Sequence, residues 1–174
     1  MKNTILFLSL FLIISCQSID NRPSIFSKSD EINFYRVKEE SENLFGNDSI
    51  EVPKVFTELF FESKPLKLPS SIEIENLEKY YQRIPLNSES TKKITEIFND
   101  AGFPISNASF GVSNICDPIY RDILVFKKQG KVTAYAKICL SCYKNYIVLE
   151  NNHFENIRID YDDLHKVIDS LASR

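Results

Sequence analysis

The chain has 174 residues, of which 43% are hydrophobic, 12% aromatic and 26% charged, and its formal net charge is −3. This length suits one domain with appendages, and the composition is that of a globular protein. An acidic chain without a basic stripe is not expected to bind nucleic acid. The sequence contains only four glycines and neither G-x-x-x-x-G-K nor G-x-G, which excludes the common glycine-rich phosphate loops.

The first segment has the pattern of a secretory signal. It carries one basic residue, Lys2, then an apolar run over residues 5–14 that is broken only by Ser9, and then Ser15 and Cys16. The run is too short for an ordinary transmembrane helix, which needs about 20 apolar residues.

The tetrapeptide Ile13-Ile14-Ser15-Cys16 resembles the lipobox of bacterial lipoproteins, in which an aliphatic, a variable and a small residue precede an invariant cysteine. The resemblance implies that residues 1–15 are removed and that Cys16 carries diacylglycerol and an N-linked acyl chain such as palmitate. We therefore expect anchoring in the lipid bilayer of the cell membrane or outer membrane, with the domain in the periplasm or at the cell surface. Gln17 in place of Asp favours the outer membrane. Plain secretion or an uncut N-terminal anchor is the alternative.

Residues 16–33 are polar beyond Cys16, with Pro23 and several serines, and predict a flexible tether. Residues 34–174 predict a single α+β domain, an antiparallel β-meander of about four to five strands packed with two helices. The spacing over residues 34–47 is weakly helical. Residues 55–61 predict a short helix or strand whose aromatic side chains serve packing.

The middle of the chain predicts one strand and one helix. Ile72 and Ile74 alternate with glutamates, which indicates a half-buried strand, and a brief helical turn is expected around Tyr80 and Tyr81. The helix that follows begins at Ser88 or Ser90 as its cap and ends at Gly102 and Pro104. Its apolar face consists of Ile94, Ile97, Phe98 and Ala101.

The C-terminal half predicts the meander and a closing helix. The expected strands cover residues 109–116, 121–128, 131–139, 146–150 and 154–159, with turns at Gln129-Gly130 and Asn151-Asn152. In the third strand, one face holds Val132, Ala134, Ala136 and Ile138, and the less apolar face holds Lys131, Thr133, Tyr135, Lys137 and Cys139. The last helix covers residues 161–174, with a core face of Leu164, Val167, Ile168 and Leu171.

Three cysteines fall at the ends of predicted strands. Cys116 ends the first strand, Cys139 ends the third, and Cys142 follows three residues later in a turn. If the second strand is antiparallel to both neighbours, strands one and three end at the same edge of the sheet. The three sulfur atoms are therefore expected to converge.

The run from Cys116 to Cys142, C-D-P-x-Y-R-D-I-L-V-F-K-K-x-G-K-V-x-A-x-x-K-I-C-L-S-C, resembles a pattern in uncharacterised bacterial envelope and secreted proteins. Those proteins often have Arg-His after the proline, where this chain has Ile119-Tyr120. The resemblance covers about 27 residues. It implies that the three cysteines act as one unit, and it implies no reaction.

Three chemistries fit these cysteines. An oxidising envelope favours a disulfide from Cys116 to Cys139 or Cys142 with one thiol left over. A zinc site would use Cys116, Cys139, Cys142 and a histidine, His153 or His165. A redox role would make Cys139 and Cys142 a dithiol activated by Lys137 or Lys144.

No G-x-S-x-G or H-E-x-x-H motif points to an enzyme. The sequence thus predicts a membrane-anchored lipoprotein that acts as a binding or structural envelope module, with a protein or ligand partner that it does not identify. A thiol-based envelope oxidoreductase using Cys139 and Cys142 is the alternative.

Overall fold

The structure, a computed structural model, describes residue 26 and residues 28–46, 51–102 and 116–172. Within these ranges the chain forms an open antiparallel sheet of six strands in the order β2-β1-β3-β4-β5-β6. The strands are β1 (Glu31–Val37), β2 (Tyr81–Ile84), β3 (Asp122–Lys128), β4 (Lys131–Cys139), β5 (Lys144–Leu149) and β6 (His153–Glu155). The helices are α1 (Glu39–Glu42), α2 (Lys54–Phe60), α3 (Ser71–Leu77), α4 (Ser88–Asn99) and α5 (Tyr161–Ala172), with a 3₁₀ turn at Asn43–Gly46. The mixed helix-and-strand class agrees with the prediction. The described sheet has six strands, however, where four to five were predicted, and the described chain has five helices, where two were predicted.

The centre of the sheet is covered on both faces. Residues 122–126 of β3 are all buried, as the continuous apolar run in this strand predicts. On one face, α4 and α5 pack against a cluster that includes Phe34, Leu124, Ala136, Ile147, Ile94, Phe98, Leu164 and Ile168. On the other face, α2 and α3 pack against a cluster that includes Tyr35, Ile123, Tyr135, Tyr146, Phe56, Phe60, Ile74 and Leu77. The side of β4 that the sequence presents as less apolar is therefore also interior.

The hairpin between β3 and β4 turns at Gln129 and Gly130, as predicted. Both residues have positive φ, 50° and 75°, which matches the right-handed twist of the flanking strands. The pairing then shifts, because Phe126 lies opposite Ala134 while Lys127 lies opposite Val132. This bulge places Val132 against the Tyr135 cluster, so its predicted face is wrong, whereas Ala134, Ala136 and Ile138 lie on the face predicted for them.

The N-terminal strand β1 is the main element that the sequence did not predict. It begins at Glu31, inside the predicted tether of residues 16–33, and it lies between β2 and β3. Phe26 also packs in the core, with its ring centroid 5.3 Å from that of Phe98 and 4.8 Å from that of Phe126. The folded part therefore begins before residue 34. Residues 1–25, which contain the predicted signal and lipobox, lie outside the described ranges.

Helix α3 replaces the strand predicted around Ile72 and Ile74. A capping box starts the helix: the Ser70 backbone N–H donates to the Glu73 carboxylate at 2.7 Å, and the Glu73 N–H donates to Ser70 Oγ at 3.3 Å. Ile74 and Leu77 are buried three residues apart, while Ile72 is 69% exposed. The expected turn at Tyr81 is also wrong, because Tyr81 begins β2.

The two amphipathic helices and most of the meander agree with the sequence. The predicted apolar faces of α4 and α5 are buried. The cap of α4 is Asn87, whose Oδ1 accepts from the Ser90 N–H at 2.8 Å, and neither Ser88 nor Ser90. The last strand, predicted over residues 154–159, covers only His153–Glu155. Residues 103–115, which include most of the first predicted strand, lie outside the described ranges. No described helix has the length and apolar content to cross a membrane.

Replacing the α4 cap tests which residue starts this helix. We expect Asn87→Ala to lower the free energy of unfolding by about 1 kcal/mol, because the Ser90 N–H loses its acceptor. The matched control is Ser88→Ala, one residue later and exposed, which we expect to change stability by less than about 0.5 kcal/mol. Urea denaturation measures both, and equal losses in the two variants would contradict the assignment.

Candidate functional site

The three cysteines lie together where β4 meets β5. Cys116 is bonded to Cys142, with their Cα atoms 5.9 Å apart, and Cys139 is a buried free thiol. They meet because Asp122, the first residue of β3, pairs with Ile138 near the end of β4, so the segment before β3 reaches the β4–β5 turn. The three cysteines lie together, as the sequence predicts, in the arrangement of a single disulfide with one thiol left over. The strand order from which this was predicted is wrong, because the second neighbour of β3 is β1.

The sulfur of Cys139 is held in a small polar environment. The Ile119 backbone N–H donates to Cys139 Sγ at 3.4 Å, and Ser141 Oγ lies 3.4 Å from the same sulfur. Cys142 Sγ lies 3.5 Å from the carbonyl oxygen of Asp117. Both sulfurs thus contact the segment 117–119 from the β4–β5 turn.

The histidines considered for zinc do not join this cluster. His153 is exposed on β6, with its ring 6.0 Å from that of Tyr146, and His165 is paired with Asp169 at 3.3 Å on the surface of α5. Among the described residues, no group of three or more His, Cys, Asp and Glu side chains is placed to hold a metal ion. Zinc needs thiolates, and the disulfide removes two of them, so a zinc site at Cys116, Cys139, Cys142 and His153 stays a prediction for the reduced chain.

Lys137 is a buried lysine with a full set of acceptors. Its side chain points from β4 into the layer that contains α2, and the residue is 0% exposed. Its ammonium donates to the backbone carbonyls of Glu58 at 2.9 Å, Glu62 and Lys64, and it lies 4.4 Å from the centroid of the Tyr120 ring. The lysine therefore binds one carbonyl in the last turn of α2, that of Glu58, and two carbonyls of the segment that follows the helix. Burial lowers the pKa of this ammonium to about 7.

The depressed pKa of Lys137 predicts a pH dependence of stability. Between about pH 7.5 and about pH 9 the unfolded chain keeps this proton, because an ordinary lysine has a pKa near ~10.4, while the folded chain loses it. The free energy of unfolding should therefore rise with pH, by up to about 1 kcal/mol per pH unit. We expect urea denaturation at several pH values to show this slope.

The control for this prediction is Lys137→Met, an unbranched side chain one heavy atom shorter, which removes the titrating group. It should cost about 1–3 kcal/mol, because the carbonyls lose their donor, and the pH slope should fall. An identical slope in the variant and in the unchanged chain would show that Lys137 does not titrate in this range.

An apolar pocket lies beside the lysine, on the same face of the sheet. It has a volume of about 480 Å³ and opens between α2, α3 and the loop that joins them. Its lining is Val55, Glu58, Leu59, Lys64, Pro65, Leu66, Lys67, Pro69, Glu73, Ile74, Asn76, Leu77 and Tyr135. Nothing in the sequence pattern indicated it, because its walls come from segments whose packing partners are distant along the chain.

Tyr135 reaches this pocket from β4, and its hydroxyl is unsatisfied. The residue is 1% exposed, and its Oη has no hydrogen-bond partner within the described part of the chain. Burial and the nearby Glu73 carboxylate raise the pKa of this phenol, so it remains a neutral donor at physiological pH. A buried hydroxyl without a partner costs about 1–3 kcal/mol, which makes it an unusual feature of a folded core.

Most of the charged side chains at the rim of the pocket form ion pairs or hydrogen bonds with other residues. Lys64 pairs with Glu58 at 3.5 Å and with Glu62 at 2.8 Å, and Glu73 accepts from Ser70 in the capping box. Lys67 is exposed and makes no ion pair with any described residue. Beside it, Leu66 is 64% exposed. The mouth therefore presents an apolar side chain and one positive charge.

A second pocket, of about 580 Å³, lies near the cysteines and has a different character. Asp122 is buried in its wall and accepts from Arg36 Nε at 2.9 Å, and Arg121 pairs with Glu42. Burial raises the pKa of the Asp122 carboxyl, and the Arg36 hydrogen bond opposes that rise. These charged groups satisfy one another, and the described residues of this lining include no buried side chain without a hydrogen-bond partner.

Comparisons with protein-family models, curated proteins and solved structures give no match for this chain. The chemistry of the two candidate regions, the cysteine cluster and the apolar pocket, therefore follows from their own geometry.

Proposed function

We propose that the chain is a lipid-anchored envelope lipoprotein whose domain binds a compact, mainly apolar small molecule in the pocket between α2 and α3. The observation that carries the binding role is the Tyr135 hydroxyl, a buried donor of a residue that lines this apolar pocket, which has no hydrogen-bond partner among the described residues. A ligand with a hydrogen-bond acceptor at its inner end would satisfy this donor, so binding would offset the free energy lost by burying the hydroxyl without a partner.

The dimensions of the pocket favour a small molecule over a protein segment. A volume of about 480 Å³ falls within the range of about 300–1,000 Å³ that is typical of ligand pockets. Such sites combine an apolar lining with a few fixed polar groups, as Tyr135 combines here with Leu59, Leu66, Ile74 and Leu77. Burial of the apolar body of the ligand supplies the affinity, and the phenol sets its orientation.

The pocket walls are fixed before a ligand arrives. The Lys137 ammonium donates to the Glu58 carbonyl in the last turn of α2, and Tyr146 Oη donates to the carbonyl of Pro65 at 2.9 Å. The capping box holds the start of α3. A preformed site loses less conformational entropy on binding than one that must be ordered by its ligand, which supports a binding role for this layer.

The membrane anchor is supported by the sequence alone. The lipobox-like tetrapeptide at residues 13–16 would place two or more acyl chains on Cys16, and two chains hold a protein stably on a bilayer. A polar segment then separates Cys16 from the first described core residue, Phe26. The ligand site would thus lie in the envelope, close to the membrane surface.

The anchor is tested by metabolic labelling of bacteria with an alkyne analogue of palmitate. We expect the unchanged chain to incorporate the label and to fractionate with membranes, and Cys16→Ser to do neither. Cys139→Ser is the matched control and should be labelled normally, because its thiol is buried. Labelling that persists in Cys16→Ser, or that is missing from the unchanged chain, would contradict the proposal.

The pocket is tested with Nile red, a neutral apolar dye that carries a ring carbonyl. We expect saturable fluorescence enhancement by the full chain in detergent below the concentration at which micelles form. Tyr135→Phe should weaken dye binding by about 3- to 10-fold, because one neutral hydrogen bond is lost without a change of shape.

A pair of surface variants separates the pocket from nonspecific adsorption of the dye. Leu66→Asp puts a charge at the mouth and should weaken binding at least as much as Tyr135→Phe. Ile72→Asp, at a position that is 69% exposed and outside the pocket lining, should leave binding unchanged. Equal effects of the two aspartates would show that the dye binds elsewhere.

The alternative function, a thiol-based oxidoreductase in which Cys139 and Cys142 form the working dithiol, has less support. Cys142 is bonded to Cys116, and the C-x-x-C pair follows a strand, so no helix N-terminus activates it.

A further inference from the structure

We propose that the buried Cys139 thiol exchanges with the Cys116–Cys142 disulfide, so that the protein interconverts between two disulfide isomers and exposes Cys116 as a reactive surface thiol. This inference is independent of the ligand pocket. It concerns the one described free thiol, which does not line the proposed binding site.

The attacking and the attacked sulfur lie against the same short segment of the chain. Cys139 ends β4, and Cys142 lies in the following turn, which the Tyr143 N–H closes onto the Leu140 carbonyl at 3.4 Å. Both residues are buried, at 1% and 3% exposure, in one cluster. Their sulfurs contact the same short segment, Cys139 at the Ile119 N–H and Cys142 at the Asp117 carbonyl. The bonded partner Cys116 is exposed.

Two neighbouring groups favour the charges that exchange requires. The Ile119 N–H donates to Cys139 Sγ and compensates part of the negative charge on an attacking thiolate. Lys144 pairs with Cys139 across the β4–β5 ladder, and its ammonium donates to the Cys116 carbonyl. A positive charge therefore lies beside the cysteine that would leave as a thiolate.

The exchange is an isomerisation that needs no oxidant or reductant. Cys139 loses its proton to water, and its thiolate attacks Cys142 Sγ. A Cys139–Cys142 bond forms while the Cys142–Cys116 bond breaks, and the electron pair of the broken bond leaves on Cys116 Sγ, which takes up a proton from water. One disulfide and one thiol are present before and after the step.

The rest of the segment stays in place during this step. Tyr120 is held independently of the disulfide, because its N–H donates to the Phe60 carbonyl at 2.8 Å and its carbonyl accepts from Tyr81 Oη at 2.7 Å. The change is therefore confined to residues around 116–118. In the second isomer, Cys116 is a surface thiol that can form a mixed disulfide with a protein disulfide of the envelope, and the Cys139–Cys142 bond is protected in the core.

The test uses the unreduced full chain in detergent, treated with N-ethylmaleimide and mapped by mass spectrometry of nonreduced peptides. We expect the label to accumulate on Cys116 in molecules that also contain a Cys139–Cys142 link. The rate should rise with pH, because a thiolate is the attacking species in thiol–disulfide exchange. Cys139→Ser, which removes the attacking thiol, should keep Cys116 unlabelled and bonded to Cys142.

A second variant examines the alternative bond directly. In Cys116→Ser we expect Cys139 and Cys142 to be linked to each other and resistant to the label. The proposal is overturned if both cysteines are labelled in this variant. It is also overturned if the unchanged chain is labelled only at Cys139 or not at all, because either result means that the Cys116–Cys142 bond does not exchange.

Discussion

The fold depends on the complete burial of the β3–β4 pair between two layers of helices. A strand covered on both faces cannot send its polar side chains to water, so each polar group must find a partner in the covering layer. Lys137 meets this constraint with one carbonyl of α2 and two of the segment after it, and the buried Tyr81 on β2 does so with the Tyr120 carbonyl. Asn145 on β5 meets it on the helix side, where its amide bonds the backbone of Ile157 in both directions at 2.8 and 3.1 Å. Tyr135 is the exception among the described residues, which is why its position carries a functional argument.

The same partners that satisfy buried polar groups also fix the covering layer. Helix α2 has only seven residues and would not be stable alone. Its position is set by aromatic packing on the sheet, where the Phe56 ring lies 6.4 Å from that of Tyr81 in β2, and by Lys137, which binds the Glu58 carbonyl in its last turn. The pocket is therefore a product of the way in which a short helix is attached to the sheet. A substitution of Lys137 should therefore also alter the packing around Tyr135, because both side chains lie under the layer that contains α2.

Local periodicity was sufficient to predict α4, α5 and strands β3 to β5. Each has an apolar pattern long enough to distinguish a period of 3.6 from a period of two. It failed for α3, where Ile72 and Ile74 alternate with glutamates, because the capping box at Ser70 and Glu73 stabilises a helix that the alternation conceals. It failed for β1 because that strand is completed by β2 and β3, which are about 45 and 90 residues away along the chain.

The candidate site was predictable only in part. The predicted β3–β4 hairpin correctly brings the start of β3 to the end of β4, where the three cysteines meet. The other predicted neighbour of β3 is wrong, because β1 pairs with β3 on that side. It cannot decide which two of them form a bond, because Cys139 and Cys142 are three residues apart and both face the same segment. No local pattern in the sequence predicted the pocket. Tyr135 and Lys137 lie on the strand face that sequence alone marks as less apolar, and only the covering helices convert that face into an interior.

The two outer strands of the sheet are short, with four residues in β2 and three in β6. Arg83 on β2 also forms an ion pair with Glu31 at 3.4 Å on the neighbouring strand. Anchoring to a bilayer, as proposed, would confine many copies to a plane and raise their rate of encounter far above that of dilute molecules in solution. Short, charged edge strands present few unpaired backbone N–H and C=O groups with which the sheet of another copy could pair. The architecture thus suits a crowded membrane surface, where long open edges would invite the copies to assemble into fibres.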